Sequence, residues 1–265
     1  MPRDILVCTV GTSLLDQVQL LEPSAPLRVA SERNNAQGVA QALLELDPLS
    51  SACGAEINSV ASIISTGSLA EQALIELLVP DTAQGRNVAR YLELYFRNQR
   101  CPIRFREVRV QVVEELNDSN PKRFRAMGLR ELVRRIAEVI QYHGAQRVAI
   151  NATGGYKGEI CLAGLVGQAL EVPVYYMFER LTEVVELPPQ PMSLDFSLWL
   201  DNFELFRFLG RRHDADPEEL IRNLGGQPDE RLEPLLDRAE NQRVALSPVG
   251  ELFHRQMMYR FHLAR

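Results

Sequence analysis

Arg147-Val148-Ala149-Ile150-Asn151-Ala152-Thr153-Gly154-Gly155-Tyr156-Lys157-Gly158-Glu159 is the stretch on which the reading of this chain turns. Arg147 to Ile150 is a short apolar run and reads as a buried strand. Lys157 to Leu170 reads as the helix that follows. The glycine pair between them exposes backbone N–H groups at a helix start, where anions bind. Only two of the 29 basic residues are lysine, Lys122 and Lys157; the rest are arginine. Arginine suits a bidentate fork, whereas lysine is a compact point charge suited to one phosphate oxygen. A lysine kept at this turn indicates a phosphate-handling site.

Working outward, strands and helices alternate. Ile5 to Val10 reads as a buried strand that breaks at Gly11-Thr12-Ser13. Ala30 to Leu46 reads as one helix. Cys53, Ile57, Val60, Ile63 and Ile64 recur at spacings of three and four and predict a second. Ala73 to Val79 reads as a strand ended by Pro80-Asp81-Thr82, followed by a helix over Gln84 to Arg97. Arg104 to Val113 alternates as a strand does. Pro121 to Tyr142 is a long amphipathic helix. Val172 to Phe178 and Glu183 to Leu187 complete the strands. Continuously apolar strands alternating with helices predict a Rossmann-like α/β fold, a mostly parallel sheet with helices on both faces.

Pro188-Pro189-Gln190-Pro191 reads as a linker. It separates a ligand-binding domain, residues 1–190, from a small C-terminal one, residues 196–265. In the second, Trp199 to Leu209 reads as one helix and Pro217 to Leu224 as another, capped by Asp214 or Asp216. Leu232 to Ala239 reads as a third helix. A Ser247-Pro248-Val249-Gly250 turn opens a last helix from Glu251. This order suggests a winged-helix-like domain.

The chain has 265 residues and a formal net charge of −6, which disfavours a broad nucleic-acid surface. It leaves room for a focused anion pocket. From Ser197 onward ten arginines face twelve acidic residues, so DNA binding is not expected of the C-terminal domain. No apolar run is long enough to cross a bilayer. The first residues lack a signal-peptide core, and a cytoplasmic location is expected. Cys8, Cys53, Cys101 and Cys161 show no metal-ligand spacing; reduced, mostly buried thiols are expected, and no zinc.

Ligands of a doubly wound sheet bind beyond the carboxyl ends of its strands, near the switch point. Three strand ends carry small polar residues: Gly11-Thr12-Ser13, Asp81-Thr82 and Thr153-Gly154-Gly155-Tyr156-Lys157. Each has an ordinary reading as a helix cap. Neither glycine loop fits the phosphate-loop or dinucleotide spacing, since Lys157 precedes Gly158 and no Ser or Thr follows it. None of His143, His213, His254 and His262 lies near these loops. Chemistry there would run on positioning and electrostatics.

Val10 to Leu15, Ala55-Glu56-Ile57-Asn58-Ser59, Pro80-Asp81-Thr82 and Asn151 to Glu159, in that order, resemble the CRISPR-associated Rossmann-fold (CARF) proteins of type III CRISPR systems. The resemblance covers about residues 4–190. It implies a cytoplasmic protein that senses cyclic oligoadenylates. Shorter members resembling this chain are ring nucleases, which cut cyclic tetra-adenylate to linear di-adenylates and switch antiviral signalling off without a metal or other cofactor. The implied catalytic pair is Ser13 and Lys157. The implied ligand-binding residues are Gly11, Thr12, Asp81, Thr82, Thr153, Gly154, Gly155 and Tyr156. The ring would need a two-fold homodimer. Two alternatives stay open. One is a non-catalytic sensor that regulates transcription through its winged helix. The other is a HEPN-type ribonuclease using Arg255 and His262, which have six residues between them on the last helix.

Overall fold

The computed structural model describes residues 2–178, 183–190, 194–212, 214–224, 230–238 and 242–261. Its first strand, β1 (Arg3–Thr9), is the centre of a six-stranded sheet. The chain continues through α1 (Ser13–Gln19), α2 (Pro26–Glu32), α3 (Ala36–Leu44) and α4 (Gly54–Ser65) to β2 (Leu69–Pro80). Next come α5 (Ala83–Phe96), β3 (Glu107–Val113), a short α6 (Pro121–Arg123), α7 (Arg130–His143), β4 (Val148–Asn151) and α8 (Lys157–Ala169). The short strands β5 (Val174–Tyr176) and β6 (Val185–Leu187) finish the sheet.

The strand order is β3-β2-β1-β4-β5-β6, parallel except for the β5–β6 pair. This is the Rossmann order. Alternate side chains of β1 serve two separate cores. Leu6 and Cys8 join the face covered by α1 to α5, while Ile5 and Val7 join the face covered by α7 and α8. In β2, Ile75 and Leu77 divide from Leu74 and Leu78 in the same way. A strand buried on both faces is apolar at most positions, and each such apolar side chain contributes roughly 1.5–3 kcal/mol by leaving water. The buried exception in β2, Glu76, accepts a hydrogen bond from Gln111 Nε2 of β3. Among the described residues, no helix is long and apolar enough to cross a membrane.

Several elements differ from the sequence reading. The helix expected over Ala30 to Leu46 is two, broken where Asn34 takes a left-handed φ of 50° and Asn35 caps α3 by accepting from Gly38 N at 3.0 Å. A helix absent from the reading, α1, starts directly at Ser13. The long helix begins at an Asn120 cap and runs through a wide turn over Phe124–Leu129 before α7. Cys8, Cys53 and Cys101 are buried, but Cys161 is exposed.

The C-terminal part has its own core around Trp199, Phe206, Leu220, Leu246 and Met257. The single helix expected across Trp199 is α9 (Phe196–Asp201) and α10 (Phe203–Gly210), parted at Asn202. Pro217–Leu224 is α11, capped by Asp216, which accepts from Glu218 N at 2.9 Å. The third helix does not form. Glu230–Leu235 is a 3-10 turn with Pro234 inside, followed by a hairpin of β7 (Leu236–Arg238) and β8 (Val244–Leu246). Pro234 has no N–H to give a helix. The last helix, α12 (Pro248–Arg260), is capped by Ser247, which accepts from Gly250 N at 3.1 Å.

The same helix ties the two parts together. Leu252 enters the second sheet-face core, and Gln256 Nε2 donates to Ala169 O at 2.8 Å. Arg255 pairs with Glu251 at 2.9 Å and lies near Glu138 of α7. Arg255 is therefore held by acids, and His262, like His213 and Pro191, lies outside the described residues.

Candidate functional site

The sheet order reverses between β1 and β4, and the loops leaving these two strands meet there. Cys8 pairs with Asn151 in register, so Gly11 and Gly154 emerge side by side. A β-carbon on Gly11 would lie 2.6 Å from Gly155 N, so a side chain there would part the loops. Thr9 Oγ1 donates to Gly154 O at 2.5 Å, lacing the end of β1 to the second loop. Asn151 anchors the base of that loop by donating to Ser59 Oγ of α4 at 2.8 Å. Its Oδ1 accepts from Thr153 Oγ1 at 2.7 Å, and Thr153 Oγ1 in turn accepts from Met177 N at 3.1 Å.

Above these loops is a cavity of about 370 Å³ whose lining includes Gly11, Thr12, Thr82, Gln84, Gly155 and Tyr156. It lies beyond the carboxyl ends of β1, β2 and β4. Five of the residues picked from sequence thus share one cleft. Thr82 also caps α5, accepting from Gly85 N at 2.9 Å. Asp81, expected as a possible cap, instead accepts from Arg86 Nη2 at 2.6 Å and Glu115 N at 3.3 Å. Tyr156 sets its ring edge-on to Phe124, centroids 5.2 Å apart. Burial, with Asp118 alongside, raises its phenol pKa, and Asp118 also lines the cavity.

The other picked residues stand outside that lining. Thr153 and the buried Gly154 are taken up in the loop's own hydrogen bonds. Ser13 Oγ accepts from Ala55 N at 3.2 Å and donates to Glu56 Oε2 at 3.3 Å, bridging α1 to α4. Lys157 is the first residue of α8 and is exposed. No hydrogen bond or ion pair holds its ammonium among the described residues, and it adds positive charge at the already positive end of a helix.

Two residues without an assigned role from sequence lie under the loops. Glu56 is 2% exposed and Glu159 is fully buried. Gly11 N donates to Glu56 Oε1 at 2.7 Å, and Tyr156 N donates to Glu159 Oε1 at 3.0 Å. Burial raises the Glu56 carboxyl pKa. Burial first, with the charge of Glu56 adding, raises Glu159 to about 8. The spacing held the signal: Glu56 shares a helix stripe with Val60 and Ile63, and Glu159 shares one with Ala163 and Val166. A glutamate on an apolar stripe is buried by its neighbours. Among the described residues, no cluster of His, Cys, Asp or Glu has the arrangement of a metal site.

The family model of the CRISPR-associated protein (Cas_APE2256) matches residues 51–190, just over half of the chain, from α4 through the second glycine loop to the end of the sheet. The chain belongs to this CRISPR-associated family. That assignment agrees with the resemblance read from the loop sequences. Among solved structures, Can2 from Sulfobacillus thermosulfidooxidans in complex with cyclic tetra-adenylate is similar, with 13% identity and a TM-score of 0.33. The match covers 98% of this chain and 63% of Can2, so the chain spans less than two thirds of that protein's length. No curated protein matches the chain.

Proposed function

We propose that the cleft at the switch point binds a cyclic oligoadenylate, and that the protein is a ring nuclease which cuts cyclic tetra-adenylate. The observation carrying this reading is the meeting of the two glycine loops beside Lys157, in a member of a CRISPR-associated family. A ring of four nucleotides is large for one cavity of about 370 Å³. A two-fold homodimer would supply the second half of the site.

In the proposed reaction a ribose 2′-hydroxyl of the ligand attacks its own adjacent phosphorus in line. The bond to the 5′-oxygen breaks, and that oxygen takes up the proton the 2′-hydroxyl gives up. The opened ring therefore ends in a 2′,3′-cyclic phosphate on one side of the cut and a 5′-hydroxyl on the other. A second cut across the ring gives two linear di-adenylates, each with both ends. The ammonium of Lys157, exposed at the α8 start and without a partner among the described residues, stabilises the charge that develops on the phosphorane oxygens. Backbone N–H groups at Thr12 and Gly155 hold phosphate oxygens, and the Thr12 and Thr82 hydroxyls orient the ribose. The Tyr156 ring offers an apolar surface for an adenine. Ser13 acts by setting the first loop against α4, or reaches the ligand by exchanging its bond to Glu56. No step needs a metal, and the single-group chemistry implies slow turnover.

A second reading, binding without cutting, is favoured by one observation: the Ser13 hydroxyl is already engaged on both sides. Incubating the purified chain with cyclic tri-, tetra- and hexa-adenylate, with mass spectrometry of the products, separates the readings. Linear di-adenylates from the tetra-adenylate ring support the nuclease. A retained but intact ring supports the sensor. No binding of any ring overturns both.

A further inference from the structure

The two carboxylates beneath the loops have no part in that chemistry, yet the loops are built around them. Glu56 stands in the first turn of α4, and Glu159 in the first turn of α8. Glu56 holds the first loop through Gly11 N at 2.7 Å and Ser13 Oγ at 3.3 Å. Glu159 holds the second through Tyr156 N at 3.0 Å. A β-carbon on Gly154 would collide with Glu56 Oε1. One on Gly155, whose φ is +103°, would lie 2.6 Å from Glu159 Oε2. The glycine pair therefore rests on both acids at once, one beneath each residue. Glu159 Oε2 is buried with no hydrogen-bond partner among the described residues.

We infer that Glu56 and Glu159 are positioning residues of the anion site, a linked pair of acids that fixes the separation of the two phosphate-facing loops. This rests on reading the cleft as the cyclic-oligoadenylate site. Burying a charge is costly, and two like charges beneath an anion site would repel the ligand as well as each other. Glu159 keeps its proton below about pH 8. The charged group facing Glu159 is Glu56, from α4; Tyr156 stands at its own turn with Asp118 beyond. Facing Glu56 are the Cys8 thiol of β1 and the Ser13 hydroxyl. Ionising Glu159 places a negative charge beneath the loops, and affinity for a polyanionic ring falls as pH rises through about 8.

The test measures the affinity of the full chain for cyclic tetra-adenylate from about pH 6.5 to about pH 9. Amide hydrogen exchange of residues 11–13 and 153–156 is followed without ligand. Glu56→Ala and Glu159→Ala should each weaken binding about tenfold or more, as misplaced supports do, and speed exchange in both loops. Glu159→Gln should restore binding and remove the alkaline loss, and Glu56→Gln should restore the Gly11 contact. Alanine variants that bind as the parent does would overturn the inference. So would an alkaline loss that persists in Glu159→Gln, or faster exchange confined to the loop whose own carboxylate was removed. If the parent chain binds no ring at any pH, the ligand reading falls, and the exchange measurements alone decide whether the acids are linked.

Discussion

Gly11 N donates to Glu56 Oε1 at 2.7 Å, and that same oxygen fills the space a side chain at position 154 would need. One carboxylate oxygen thus sets both glycine loops. The amide of Gly11 is consumed inside the protein, so a ligand phosphate meets the next amides out. Glycine at 154 answers the acid beneath it more than the anion above it.

Gly154→Ala is expected to destabilise the fold by about 2–3 kcal/mol, because the added methyl meets Glu56 and the Thr9 carbonyl in a rigid loop. Urea unfolding measures it. Within about 0.5 kcal/mol of the parent, the tight fit of the loops would be wrong.

Glu159 gives folding a defined pH slope. Its folded pKa, about 8, lies above the ordinary value of 4.5, so the folded state favours the neutral form. The contribution is full below about pH 4.5, falls as pH rises, and is flat above about pH 8. Glu159→Gln removes this slope, and its advantage over the parent grows across that window by roughly 5 kcal/mol. Denaturation midpoints at a series of pH values test this. A variant with the parent's slope contradicts it.

His254 slopes the other way. It is buried, it accepts from Trp199 Nε1 at 3.1 Å through Nδ1, and burial lowers its pKa to about 4. Its stabilising contribution is full above about pH 6.5 and is lost as pH falls toward 4. Trp199 is the only tryptophan, so its fluorescence reports on this contact. Emission should change in an acid transition near pH 4 that His254→Asn abolishes. An unchanged transition in the variant would place its origin elsewhere.

Lys157→Ala should leave stability within about 0.5 kcal/mol of the parent, since the side chain is exposed and bonds to nothing among the described residues. A larger loss in thermal unfolding would mean that the lysine has a structural role.

Much of this was legible from sequence because burial on two faces leaves little choice of residue. The buried stretches of β1, β2 and β4 are mostly apolar for that reason, Glu76 of β2 being a buried exception, and their ends marked the cleft. The broken helices were less legible. Asn34 turning left-handed and the parting at Asn202 are local backbone choices that an apolar stripe runs straight through. Pro234 pointed against the third C-terminal helix, and the apolar pattern around it masked that signal. Thr12, Thr82, Gly155 and Tyr156 reach the cavity as their position after strands suggested, whereas Ser13 turns toward α4. Glu56 and Glu159 went without a role because a glutamate on a helix is first taken as solvated. Their spacing from Val60 and Ala163 showed otherwise.

The most direct test of the proposed activity compares the parent chain and Lys157→Ala on cyclic tetra-adenylate, with chelator present and products resolved by mass spectrometry. The parent should release linear di-adenylates ending in a 2′,3′-cyclic phosphate, and the variant should be slower by about a hundredfold or more. An intact ring after prolonged incubation with the parent, or equal rates for the two proteins, would contradict it.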